Sequence, residues 1–260
     1  MERQIINLQL TQLIFAYLFV FILLVIVKKK QIGQEKQIII ASLRMTLQLI
    51  IIGFILEYVF NNQNPLFSLA ILILMEIFAV HNIYSRTEVE LQHDMRKIIA
   101  VSMFLGTLLS LAYFIFIVVQ LKPWFRADYF IPLAGMLIGN SMTGISLGIN
   151  HLLTGISDKQ QLIENYLMLG VEPEKSIAEI TQQAFYNAIL PTINSMLGMG
   201  IVFLPGMMTG QILAGASPLI AIKYQIAIML GILGSVTLTV FFLIKYGAKT
   251  FFNSEKQLKL

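Results

Sequence analysis

Apolar residues fall in blocks of roughly twenty along this chain, separated by short polar connections, and each block can cross the ~30 Å hydrocarbon core of a bilayer as a helix. Seven blocks are readable, at residues 8–27, 38–60, 66–83, 98–119, 130–153, 190–213 and 220–246. The pattern predicts an all-α, polytopic protein of about seven spans, forming one membrane domain over residues 1–260. The first block is longer than the apolar stretch of a secretory signal, and no small-residue cleavage site precedes Lys28, Lys29 and Lys30. It is expected to remain as a helix.

Between the fifth and sixth blocks the pattern changes from apolar to amphipathic. Ser157 with Gln160 three residues on reads as a capping box, and Leu162, Ile163, Tyr166, Leu167 and Leu169 then form an apolar stripe at helical spacing. Gly170 suits the position just past a helix end, and Pro173 the first position of the next helix. Ile177, Ile180, Ala184 and Phe185 continue the periodicity. Residues 156–189 are therefore expected to form a two-helix hairpin outside the membrane. The same pattern also suits helices lying in the lipid interface or against the protein's own face.

The sixth block is unusually polar for a span, with Thr192, Asn194, Ser195, Thr209 and Gln211 among Met196, Met199, Met207 and Met208. Pro205 has no N–H to donate and Gly206 adds backbone freedom, so a kink or unwound stretch is expected within residues 198–210. Backbone groups freed inside a membrane must face protein or a water-lined cavity, which makes this block a candidate translocation pathway. A plain packing kink is the competing reading. In the fifth block Gly135 and Gly139, and Gly144 and Gly148, form two small-residue pairs that allow close helix approach on opposite sides. Asn140, Ser141, Met142 and Thr143 add polar and soft groups to it.

Charge fixes a direction. With the amino terminus outside, the inner loops hold Lys28, Lys29, Lys30, Lys36, Arg86, Arg96, Lys97, Lys159, Lys175, Lys245, Lys249, Lys256 and Lys259, against Arg3, Lys122 and Arg126 outside. The excess of inner Lys and Arg predicts an external amino terminus and a cytosolic hairpin and carboxyl tail. The composition, 57% apolar and 12% charged with a mean hydropathy of +0.78, agrees with a membrane protein. No cysteine is present, which removes disulfides and thiolate chemistry. The basic residues form no continuous stripe, so a nucleic-acid partner is not expected.

Few ionisable residues lie inside the blocks. Glu76, in the third, is the outlier, because a charge at that depth costs about 3 kcal/mol or more unless paired or hydrated. It is either a functional group or a packing residue paired within the bundle. Arg44 and His81 read as interfacial, and Glu88, Glu90, His93 and Asp94 as a solvated face without ligand spacing. Residues 170–176 approach a phosphate-binding loop, but Glu174 stands where a glycine must precede Lys175, and the segment follows a helix. No metalloprotease helix or serine-hydrolase turn is present. The chain is not expected to be an enzyme or to bind ATP itself.

Pro191-Thr192-Ile193-Asn194-Ser195-Met196, the run Leu204-Pro205-Gly206-Met207-Met208-Thr209-Gly210-Gln211-Ile212-Leu213, and Gly139-Asn140-Ser141-Met142-Thr143 closely resemble the FetB-type iron-export ABC transporter permeases. That resemblance implies a permease subunit, in a bacterial inner membrane, paired with a cytosolic ABC ATPase that binds the ATP and Mg. It implies export of a metal ion, iron first, while plant relatives are linked to aluminium tolerance. Glu164, Gly170 and Ile180 match in part the spacing of the importer coupling loop, which implies an ATPase-docking role for the hairpin. A homodimer embedded in membrane lipids, with no cofactor in this chain, is the expected assembly. Glu76, Asn140, Met142, Asn194, Met196, Pro205, Gly206, Met207, Met208 and Gln211 are the candidate pathway or gate residues. A secondary transporter or channel without an ATPase, and a non-transporting scaffold, are the alternative classes.

Overall fold

The computed structural model describes residues 8–87 and 91–259, and among them ten α-helices are present and no extended sheet. Glu88 and Glu90 of the predicted solvated face, and Arg3 of the charge count, lie outside the described residues. Six helices are long and apolar enough to cross a membrane: α1 (Leu10–Lys29), α2 (Glu35–Asn61), α3 (Pro65–Arg86), α4 (His93–Tyr113, continued by a π-helical turn Phe114–Val119), α5 (Ala127–Asp158) and α10 (Pro218–Gly247). The expected sixth span is not one helix. Its residues divide between α8 (Ala178–Gly198) and α9 (Gly206–Leu213), with a non-helical segment between. Two shorter helices, α6 (Gln160–Met168) and α7 (Pro173–Ser176), follow α5.

The chain forms two compact units, residues 1–63 with 213–215, and residues 64–212 with 216–260. In the first, α1 and α2 are joined by a hydrogen bond between Tyr17 and Thr46 hydroxyls, and Thr46 also donates to Ser42 O at 3.0 Å. Between Leu13 and Val27 α1 is otherwise apolar all round, the pattern of a helix that can face lipid.

In the second unit α5 and α10 lie at the centre. α10 packs on α4, α5 and α8, and α5 also packs on α3. The core of Ile99, Met103, Leu133, Leu137, Ile145, Ile149, Val236 and Val240 is fully buried. Small residues set the approach distances. A Cβ on Gly106 would stand 2.8 Å from Thr239 Cα, and one on Gly144 would stand 2.7 Å from Val236 Cγ1. Ser141 and Ser235 share a buried hydrogen bond of 2.8 Å between α5 and α10. Of the two predicted small-residue faces, Gly144 and Gly148 meet α8 and α10, whereas Gly139 meets nothing within 4 Å.

Proline at the first turn of α3, α7 and α10 starts each helix where its missing N–H costs nothing. The ends of the second unit's helices segregate by charge. At one end Tyr84 Oη donates to Arg96 O at 2.6 Å, Lys159 pairs with Glu179 at 2.9 Å and Lys249 with Glu174 at 3.3 Å. At the other, Ser68 Oγ donates to Phe125 O at 2.8 Å and Arg126 pairs with Asp128 at 2.9 Å beneath Tyr129. The first end holds this unit's share of the basic residues assigned to inner loops, Arg86, Arg96, Lys97, Lys159, Lys175, Lys245 and Lys249 among them. The second holds Lys122, Arg126 and, in the second turn of α10, Lys223.

Candidate functional site

The segment after α5 departs from its predicted grammar at its start and keeps it at its turn. Ser157 is not a cap: α5 continues through it to Asp158, and the break before α6 falls at Lys159, φ −105° and ψ 19°. Burial of Ile156 on one side and Ile163 on the other holds the helix through that point. At the far end of α6, Gly170 takes φ +82° and donates to Leu167 O at 3.0 Å, while Val171 donates to Tyr166 O at 3.0 Å. These two bonds define a Schellman turn, which only glycine adopts without strain. Pro173 opens α7, as expected. The second helix of the hairpin, however, is not separate from the following span. α8 runs unbroken from Ala178 past Pro191 to Gly198.

Of the predicted α6 stripe only Ile163 is buried; Leu167 is half-buried, Leu162, Tyr166 and Leu169 are exposed, and Met168, outside the stripe, is exposed beside them, at 83% against 80% for Leu169. Glu164, which accepts from Gln160 at 2.9 Å, and Gly170 line one groove of about 590 Å³. Ile180 does not join them. It is buried against Gly155, between α5 and α8.

Glu76 is buried, at 4% exposure, between α3 and α4. Thr107 donates to its Oε1, and Oε2 has no protein partner. The carboxyl lies at the side of an apolar groove of about 630 Å³ lined by Ile77, Val80, His81 and Tyr84 from α3 and by Ala100, Val101, Phe104 and Leu105 from α4. Thr107 escaped sequence reading because its only signal is a hydroxyl at a similar distance from the α3–α4 connection. Among the described residues no three His, Cys, Asp or Glu side chains gather in a way that could hold a metal ion.

The predicted break is present and larger than a proline kink. Gly200 takes φ +86°, and its N–H bonds Phe203 O at 2.9 Å while Val202 donates to Gly198 O at 2.9 Å. Residues 199–205 thus form a closed turn, with Ile201 92% exposed at its tip. Helix resumes at Gly206, and Thr209 caps Pro205 O with its N–H at 3.0 Å and its hydroxyl at 3.1 Å. Met208 is buried, Met196 and Met207 are half-buried, and Gln211 Oε1 is buried without a partner. Gln225 of α10, 6% exposed, donates to Met199 Sδ at 3.8 Å and leaves its own Oε1 unpartnered. Neither Met199 nor Gln225 stood among the candidates.

Asn140 is exposed on α5 and donates to its own Met136 O at 2.8 Å; Thr143 is likewise exposed and donates to Gly139 O at 3.2 Å. Helical spacing continues this face through Asn150, His151 and Thr154. Met142 is half-buried, and Asn194 is exposed on α8, which packs on α5. No helix of the same unit covers these polar groups.

Six helices long and apolar enough to cross a bilayer, with a buried carboxyl, an uncovered polar face and a broken helix among them, define a multi-pass α-helical membrane protein. More specifically, residues 10–252 match the Uncharacterised protein family (UPF0014), and the chain belongs to that family. It is 36% identical over 246 residues to the UPF0014 membrane protein YjkA of Bacillus subtilis, covering 93% of this chain and 95% of that one. It is 30% identical over 252 residues to the "Probable iron export permease protein FetB" of Escherichia coli, covering 97% and 95%. To the protein ALUMINUM SENSITIVE 3 of Arabidopsis thaliana it is 34% identical over 227 residues, covering 86% and 81%. No solved structure matches it.

Proposed function

We propose that this chain is the permease subunit of an ABC transporter that exports a metal ion, iron first, by alternating access. The observation that carries the reading is the solvent-facing apolar turn of α6, with Met168 and Leu169 almost fully exposed beside Gly170, at the start of a segment that leads through α8 to the broken helix. An apolar surface of that kind outside the membrane calls for a protein partner. A cytosolic ATPase, binding the ATP and Mg, fits the name of the Escherichia coli relative. On this reading the basic end of the bundle is cytosolic, in a bacterial inner membrane, and residues 156–189 are the docking hairpin.

Two copies would face each other across the polar side of α5 and α8, since Asn140, Thr143 and Asn194 are costly to leave against lipid. Glu76, Met142, Met196 and the segment Pro205, Gly206, Met207, Met208 and Gln211 then supply pathway and gate groups. Methionine sulfur and amide oxygen bind a cation weakly enough for release. The test is metal efflux from sealed vesicles holding the full chain and a co-expressed ABC ATPase from the same genome. ATP-dependent flux that Gly170→Trp abolishes, with the protein still inserted, is the expected result. Flux that needs no ATPase, driven by a proton or sodium gradient, would replace this reading with a secondary transporter.

A further inference from the structure

The carboxyl tail beyond α10 is built. Terminal segments of a few polar residues ordinarily fray unless something ties them down, yet a 3-10 turn (Ala248–Phe251) folds this one back and buries Phe251. Lys259 then donates to Phe251 O at 2.7 Å, closing a loop. Asn253 organises its interior: Oδ1 accepts from the N–H groups of Glu255 at 3.0 Å and Gln257 at 2.8 Å, and Nδ2 donates to Gln257 Oε1 at 2.9 Å.

This turn stands against the hairpin. Lys249, at its base, pairs with Glu174 of α7, and Glu255, Lys256 and Leu258 form the wall of the 590 Å³ groove opposite Glu164, Met168 and Glu172. The charges are unequal. Lys175 pairs with Glu172 at 2.9 Å and holds it below the usual carboxylate range, so that acid remains ionised. Glu164 and Glu255 add two more acids against Lys256, so with Glu172 balanced by Lys175 the groove keeps a net negative charge. An acidic groove with an apolar floor and a methionine rim is complementary to a basic side chain projecting from an apolar patch of a soluble protein.

We propose that the carboxyl-terminal turn is the second wall of the ATPase-docking groove, and that the groove receives a Lys or Arg set among apolar residues of the ATPase. This rests on the docking reading of the hairpin. It adds that the contact is shared between two chain segments, one leading into α8 and the other hanging from α10.

The experiment is co-purification of the full-length, tagged permease with each ABC-class ATPase of the same genome, co-expressed in turn, at equal permease levels and rising salt. Met168→Lys, which removes the apolar rim and repels a basic occupant, tests the hairpin, and Glu255→Lys and removal of residues 253–260 test the tail. Both tail variants are expected to lower recovered ATPase about tenfold, with wild-type recovery itself falling as salt rises. Glu255→Lys changes one exposed side chain, so it decides the matter should the shortened chain fail to accumulate. Wild-type recovery with Glu255→Lys, while Met168→Lys loses the ATPase, overturns the role of the tail and leaves hairpin docking standing. Undiminished recovery with Met168→Lys overturns both.

Discussion

Gln225 donates its side-chain N–H to the thioether of Met199 across 3.8 Å, so the first residue past the end of α8 is held by the buried face of α10. A thioether is a weak acceptor, and a fully committed structural amide would be expected to find a carbonyl. The bond is suited to being exchanged. Gln225→Leu should therefore change thermal stability in detergent by less than about 1 kcal/mol while lowering metal flux several-fold. Equal loss of flux and of folded protein would assign Gln225 to structure alone.

The turn at 199–205 predicts which substitutions alter the break. Gly200 sits at φ +86°, where an L side chain costs about 1–2 kcal/mol, so Gly200→Val should disrupt the turn and reduce flux. Pro205→Ala with Gly206→Ala favours extending α9 backwards, by roughly 1–3 kcal/mol in helix terms, but leaves the Gly200 turn in place. It should alter flux less than Gly200→Val. Flux in vesicles with matched protein amounts ranks the two, and the reverse order would place the gate at the proline.

Glu76 and Thr107 separate packing from transport. Thr107→Val leaves Glu76 Oε1 without its hydroxyl donor, a loss of about 1–3 kcal/mol for a buried polar group, and should lower abundance at the membrane. Glu76→Gln retains an acceptor for Thr107 and should lower flux per molecule more than abundance. Normal flux from a scarce Glu76→Gln protein would make Glu76 a folding residue.

Gly106 tests the tightest helix contact. Ala at this position brings a methyl against the Thr239 backbone, and overpacking of this kind costs about 1–3 kcal/mol. A lower melting temperature for Gly106→Ala, with only partial recovery from Thr239→Ala because that removes the Thr239 Cγ2 contact and leaves the backbone contacts at 2.8 Å, is the expected pattern.

What the sequence revealed and what it hid divide along physical lines. Long apolar runs announced α1–α5 and α10 because a bilayer demands about twenty apolar residues in succession. Gly170 was legible because a left-handed turn constrains residue type locally. Ser157 and Gln160 misled for the converse reason: a capping pattern is worth about 1 kcal/mol, and burial of Ile156 and Ile163 outweighs it. Periodicity showed that Ile180 belongs to an apolar face but not that the face lies against Gly155. Thr107 and Gln225 stayed hidden because their partners are 31 and 26 residues away in the chain, a distance no local pattern spans.

The unbroken course of α8 makes it a rod of 21 residues, about 31 Å from end to end at 1.5 Å per residue. Pro191, with no N–H to donate, is its one weak point, and apart from what bending there absorbs, a push on one end reaches the other. Tilting it by about 10° around its midpoint would displace each end by nearly 3 Å, and around either end by over 5 Å, about one helical turn. On the proposed docking, a partner that grips Ala178 would move Gly198, and the weak tether between Met199 and Gln225 would be the joint at which that stroke is either resisted or let through.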